Sequence, residues 1–177
     1  AAVLGDPAKV KFIPLSSETR FTALAAGEVD VLIRNSTFTY SRDNDLKLDF
    51  PAINYYDGQG FMVKKELGVS SAKELDGATI CIQTGTTTEL NPAGFVKANY
   101  ITYTPVTVQD EAEAQRNYLA GSCDAHTTDA SGLASTRSSF PDPENHIILP
   151  EIISKEPLGP GVRHGDNQWA DVVRWTF

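Results

Sequence analysis

Between Ala78 and Ser139 the chain alternates short apolar runs with segments of helical character, and this alternation limits the fold more than any other feature. Ala78–Gln83 reads as a strand, 86–98 as a helix, 101–104 as a strand and 110–120 as a helix stopped by Gly121; 123–128 then reads as a strand and 130–139 as a helix. Strands separated by helices at this spacing predict βαβ units and a parallel sheet with its own core.

An earlier stretch carries a second α/β pattern. Residues 10–14 alternate as a short strand, 20–26 read as a helix closed by Gly27, and Val29, Val31, Leu32 and Ile33 read as a buried parallel strand because they run without a polar face. Residues 1–5 look like the last turn of a helix, with Gly5 at its stop and Pro7 just beyond. Two sheets need a boundary, and the extended segments 54–63 and 147–153 could carry the chain across it. A closing helix is expected from Asn167, with Trp169, Val172, Val173 and Phe177 on one core-facing stripe.

The charge balance narrows the function classes. Lys+Arg 15 against Asp+Glu 23 gives a net charge of -8, which leaves no basic stripe for a phosphate backbone, so nucleic acid is not an expected partner. No apolar run approaches the ~18 residues that span a bilayer, and the first residues lack the basic flank of a signal peptide. The histidines, His126, His146 and His164, show no metal-ligand spacing with Cys81 or Cys123, so neither metal nor cofactor is expected. The cysteine count permits one bridge, and the count alone does not decide whether it forms.

Polar groups crowd the ends of the expected strands, where open α/β sheets bind ligands. After Ile33 come Asn35, Ser36, Thr37 and Thr39, then Arg42, whose planar guanidinium suits a carboxylate in two parallel hydrogen bonds. Thr84 to Glu89 joins a strand to a helix; Thr86 and Glu89 fit a capping box, and the first-turn amides beside Gly85 form an anion site or simply a well-capped helix. Asp129 ends another strand, as an N-cap for the next helix or as a counter-charge for an ammonium group. Arg42 for a carboxylate and Asp129 for an ammonium together describe a zwitterionic amino acid.

Several ordered motifs resemble the periplasmic amino-acid-binding proteins that serve ABC importers, solute-binding protein family 3, in its general L-amino-acid-binding branch. They are Gly27-Glu-Val-Asp-Val31, Ser36-Thr-Phe-Thr-Tyr-Ser-Arg42, Tyr55-Tyr-Asp-Gly-Gln-Gly-Phe-Met-Val63, Gly85-Thr-Thr-Thr-Glu89, Asp124-Ala-His-Thr-Thr-Asp129 and Ile153-Ser-Lys-Glu-Pro-Leu-Gly-Pro160. The resemblance implies an α/β, two-lobe, type II periplasmic-binding-protein-like fold with parallel-sheet lobes joined by two hinge strands. Lobe 1 would comprise 1–60 and 151–177, and lobe 2 would comprise 61–150, with hinges near 58–64 and 147–154. Complete members carry a further strand and most of a helix before Ala1 and more helix after Phe177, so lobe 1 is expected to be incomplete at both ends. A trimmed sheet edge would favour self-association.

The resemblance also implies roles. Arg42 matches the clamp on the ligand α-carboxylate, assisted by Thr37, while the carbonyl of Asn35 accepts from the α-ammonium group. Thr87 and Thr86 match helix-start donors to the carboxylate, Asp129 the acid that pairs with the ammonium, and Gln83 and Thr128 the positions that tune side-chain specificity. The implied partners are a free L-amino acid and a membrane permease, and the implied location is the periplasm, an oxidising compartment that favours a Cys81–Cys123 bridge. The family usually places an aromatic ring near Ser17, so Phe38 or Tyr55 would have to compensate here. Arg34, where smaller residues are common, would favour acidic ligands if it points inward. The competing reading is an enzyme on the same scaffold, resembling cyclohexadienyl dehydratase, which would need Asp129 with Glu18 or His126 as its acid/base pair. A third is a fragment that binds nothing.

Overall fold

The computed structural model describes residues 3–177, and the chain divides into two units, Ala1–Tyr55 with Pro157–Phe177, and Tyr56–Glu156. The second unit is therefore continuous in sequence, whereas the first is closed by the final stretch of chain.

The second unit is built on a five-stranded sheet in the order Tyr103–Val108, Ala78–Gln83, Ala125–Asp129, Gln59–Lys64, His146–Ile148. The first three run parallel, but Gln59–Lys64 is antiparallel to both of its neighbours, so the sheet is mixed rather than wholly parallel. The stretches expected to act as hinges, near 58–64 and 147–154, thus supply sheet strands of this unit, and the chain changes units at 55/56 and 156/157. Both faces are buried, which is why the strands read as apolar runs. Phe61, Val63, Ile80 and Ile82 point into one cluster, while Met62 and Cys81, at the alternate positions, point into clusters on the other side with Tyr118, Leu133, Phe140 and Val108.

Helices Glu111–Leu119 and Ala130–Ser139 pack on the sheet. Asp110 caps the former by accepting from the Glu113 amide at 2.7 Å. The helix expected over 86–98 is broken into Thr87–Leu90 and Pro92–Asn99, because Pro92 has no N–H to donate and its ring displaces the preceding turn. Cys81 and Cys123 form a disulfide with Cα atoms 5.6 Å apart.

The first unit departs further from expectation. Residues 10–14 form no strand, and Val29–Ile33 is not a buried parallel strand: Leu32 makes a lone antiparallel bridge to Gly161, and Ile33 is 65% exposed. An apolar run becomes a strand only where a partner lies alongside it, and among the described residues Gly161 alone pairs there. The regular ladder is Leu48–Asp49 against Val162–Arg163. Leu24, Leu32 and Leu48 form one core cluster with Phe21 and Phe50, and Val162, Ala170 and Val173 form a second with Trp169. The last helix is Asn167–Arg174, and Phe177, expected on its core stripe, is 60% exposed. Of the expected helix end at 1–5, Ala1 and Ala2 lie outside the described residues, and Gly5 has the left-handed φ of 72° suited to a stop. Among the described residues no helix is long and apolar enough to cross a membrane.

Candidate functional site

In the first unit the candidate residues gather around a short helix, Arg20–Ala25, and a turn of π-helix, Ser41–Asp45. The helix start is held by Ser16 and Thr19, each hydroxyl accepting from the other residue's amide at 3.1 and 3.2 Å. That arrangement presents Phe21 beneath Arg42, whose Cζ lies 4.5 Å from the ring centroid, and beside Arg20, at 4.6 Å. Arg42 is 6% exposed, and its Nη1 donates to the Thr37 carbonyl at 2.7 Å, which helps to fix the guanidinium. Two buried guanidinium groups against one ring concentrate positive charge, and cation–π contact stabilises them there.

Thr37 is buried and bridged to Leu158. Asn35 is exposed, and its carbonyl accepts from Arg20 Nη1 at 3.2 Å, so the acceptor expected for an ammonium group already receives a cationic donor. Arg34 does not extend as a free ligand contact: Nη1 donates to the Leu15 carbonyl at 2.7 Å and Nη2 to Ser17 Oγ at 3.3 Å. Phe38 stacks on Phe50 at 5.1 Å, and Tyr55 is about half exposed. Phe21 and Arg20 were missed by sequence reasoning; their signal was only a helix start three residues past Ser17, and the contact with Arg42 is tertiary.

In the second unit, Gln83, Thr86, Thr87, Thr128 and Asp129 lie at strand ends and helix starts of the same sheet. Thr86 is the N-cap of Thr87–Leu90, but its hydroxyl donates to the Gln83 carbonyl at 2.7 Å and makes no cap bond. Glu89 accepts from the Gly85 amide at 3.1 Å rather than from Thr86, so the capping box is shifted by one residue. Gln83 Nε2 donates to the Gln109 carbonyl at 3.1 Å. Thr128 is half-buried and pairs with Gly60 across the ladder.

Asp129 stands at the N-cap of Ala130–Ser139 and is 5% exposed, yet its carboxylate makes no capping bond. The commoner structural job of an aspartate at that place is therefore not what holds it there.

Buried polar groups behind these residues fix the turn. Glu156, 2% exposed, accepts from Thr87 Oγ1 at 2.8 Å, Asn91 Nδ2 at 2.7 Å and Ser154 Oγ at 2.5 Å. Gln59, opposite Asp129 in the ladder, donates from Nε2 to the Thr88 carbonyl at 3.0 Å and to Thr127 Oγ1 at 2.9 Å. Both were missed, since nothing local in the sequence marks a buried glutamine or glutamate as a brace.

His126 is fully buried, with Nε2 3.0 Å from Glu111 Oε1. Burial raises the Glu111 pKa, but hydrogen bonds from His126, Gln115 and Thr136 outweigh it and leave a net lowering. His126 and Asp129 are three residues apart on one strand, so their side chains point to opposite faces of the sheet and cannot form the acid/base pair an enzyme would need. Glu18 is exposed.

The sequence profile of the bacterial extracellular solute-binding proteins, family 3, matches residues 1–177. The chain belongs to this family. It is 72% identical, over its full length and 52% of the relative's, to the glutamate/glutamine/aspartate/asparagine-binding protein BztA of Rhodobacter capsulatus. It is 57% identical over 176 residues to the general L-amino acid-binding periplasmic protein AapJ of Rhizobium johnstonii, covering 99% of the chain and 52% of the relative. Among solved structures, an ABC transporter periplasmic binding protein from Brucella ovis with glutathione bound matches with a TM-score of 0.93 and 59% identity, over 97% of this chain and 54% of that one. The fold is thus the α/β fold of type II periplasmic binding proteins. The chain spans about half the length of the curated relatives it matches.

Proposed function

We propose that this chain is part of the extracytoplasmic, periplasmic substrate-binding component of an ABC importer, and that its ligand is a free L-amino acid with an acidic or amide side chain. The observation that carries the reading is the 72% identity, without loss of coverage of this chain, to a relative named for binding glutamate, glutamine, aspartate and asparagine. Arg42 takes the α-carboxylate, aided by Thr37 and by the helix start at Thr86 and Thr87. Asp129 takes the α-ammonium group together with the Asn35 carbonyl. Gln83 and Thr128 meet the side chain, and a membrane permease receives the ligand. Support for Asp129 comes from its burial at a strand end that leads into a helix, and support for Arg42 from a guanidinium held by a backbone carbonyl and an aromatic face. The protein acts by binding rather than by catalysis, as the relatives' names indicate.

A thermal-shift and calorimetric screen of this chain against L-glutamate, L-glutamine, L-aspartate and L-asparagine tests the proposal. Ligand at a hundred times Kd stabilises the folded state by about 2.7 kcal/mol. Arg42→Ala and Asp129→Ala each leave one ligand charge without its counter-charge, a loss of about 2–5 kcal/mol of binding. Near-unchanged affinity in both variants would overturn the assignment, and so would the absence of saturable binding by the unaltered chain.

A further inference from the structure

We propose that Asp43, Asp49 and His164 form a binding site for a divalent transition-metal ion, with Zn2+ the cation their chemistry favours. The three come from separate parts of the first unit. Asp43 lies on the π-helical turn, Asp49 ends the short strand Leu48–Asp49, and His164 directly follows the strand Val162–Arg163 that pairs with it. The His164 amide donates to the Lys47 carbonyl at 2.9 Å, which extends the pairing and aims the imidazole back over the turn.

His164 Nε2 lies 3.1 Å from Asp43 Oδ1 and 3.4 Å from Asp49 Oδ1, and all three ligand atoms fall within 4.8 Å of one another. A tetrahedral ion with bonds of about 2.1 Å has ligand–ligand edges of about 3.4 Å, close to both histidine–carboxylate separations. The third edge closes by rotating an aspartate side chain, and both aspartates are about 40% exposed and have room to turn.

Charge favours the same reading. One imidazole nitrogen carries at most one proton, so it can point a hydrogen bond at only one of the two carboxylates that converge on it. A dication accepts a lone pair from all three groups together and offsets the carboxylate repulsion. Arg163, the cation next to His164 in the chain, is committed elsewhere: it donates to the Leu24 and Val29 carbonyls and pairs with Asp30. One imidazole and two carboxylates suit Zn2+ better than Mg2+ or Ca2+, which prefer oxygen throughout. The ligands are separated by up to 121 residues, so no local spacing reveals them, and sequence reasoning expected no metal. His126 and His146 are buried in the second unit and do not compete.

The test is a Zn2+ titration of the chelator-stripped protein, followed by competition with a chromogenic zinc indicator and by thermal shift, on the unaltered chain, His164→Ala and Asp49→Asn. The proposal expects saturable binding of a single equivalent and a raised melting temperature in the unaltered chain, both lost in each variant while far-UV circular dichroism stays native. Lowering the pH through the range where imidazole protonates must release the metal. No saturable Zn2+ binding by the unaltered chain would overturn the site. So would undiminished binding by His164→Ala, or an equal response to Mg2+ that survives this substitution.

Discussion

Removing the Cys81–Cys123 bridge should destabilise the second unit by an amount its topology sets. The cysteines are 42 positions apart, and the loop they close contains the helices over 87–99, the strand Tyr103–Val108 and the helix Glu111–Leu119. In the chain-entropy treatment, opening a loop of that length returns about 4 kcal/mol of freedom to the unfolded state. Both sulfurs sit in a cluster with Val108 and Ala114, at 0% and 2% exposure, so the paired substitution Cys81→Ala with Cys123→Ala adds a packing loss of about 1 kcal/mol or more. Against a typical total of about 5–15 kcal/mol, this is a large fraction. Denaturant unfolding should be followed by far-UV circular dichroism, because Trp169 and Trp175 both lie in the first unit and their fluorescence reports on that unit. The bridge should also resist reductant until the unit unfolds, since neither sulfur is open to attack. A loss under about 1 kcal/mol in the double variant would refute the loop argument.

Stability should also fall in acid. Hydrogen bonds from the Thr79 hydroxyl and amide hold Asp124 below the usual carboxylate range. Glu151 is lowered as well, because bonds from the Ala72 amide and the Ser71 hydroxyl outweigh the upward push of desolvation. Groups depressed in the folded state bind fewer protons there than when unfolded, so their contribution is present above about pH 4 and is lost as pH falls through the folded values. Melting temperature measured from pH 7 downward should drop below about pH 4, less steeply in Asp124→Asn; an unchanged slope in that variant would contradict the assignment. Gly159→Ala would set a Cβ 2.1 Å from the Ala52 carbonyl oxygen, a backbone atom that cannot swing aside, and should cost about 2 kcal/mol or more. Gly94→Ala, in a helix with nothing within 4 Å of the added Cβ, should be neutral or stabilising by up to about 1 kcal/mol. Equal melting temperatures for these two variants would show that the close approach at Gly159 is not tight.

What could be read from the sequence follows from where each element buries its side chains. Ala78–Gln83 and Ala125–Asp129 are covered on both faces, so their composition alone marks them, and Gly121 and Asp110 bound the helix between them. Strand direction leaves no such mark. Gln59–Lys64 reads as extended whether it runs with or against its neighbours, and so the mixed sheet was not foreseen. Val29–Ile33 has the composition of a buried strand, but strand formation depends on a partner elsewhere in the chain. The strand ends and helix starts that carry Gln83, Thr86, Thr87, Thr128 and Asp129 were legible because strand and turn composition is local, although neither Thr86 nor Asp129 makes a side-chain cap bond. Arg20, Phe21, Gln59 and Glu156 were not, because each acts through a contact made only after the chain has folded.

The uninterrupted course of the second unit, set inside a first unit made of two separated pieces, has a consequence for how the protein is made on the ribosome. Leu48 cannot find Arg163 until more than a hundred further residues have been synthesised, whereas both strands that flank Ala125, Gln59–Lys64 and Ala78–Gln83, have emerged before it. The middle of the chain is therefore expected to fold first, while the segment before it waits with Leu32 and Leu48 still lacking their pairing partners Gly161 and Arg163. During that interval the nascent chain is most exposed to aggregation and most dependent on chaperones.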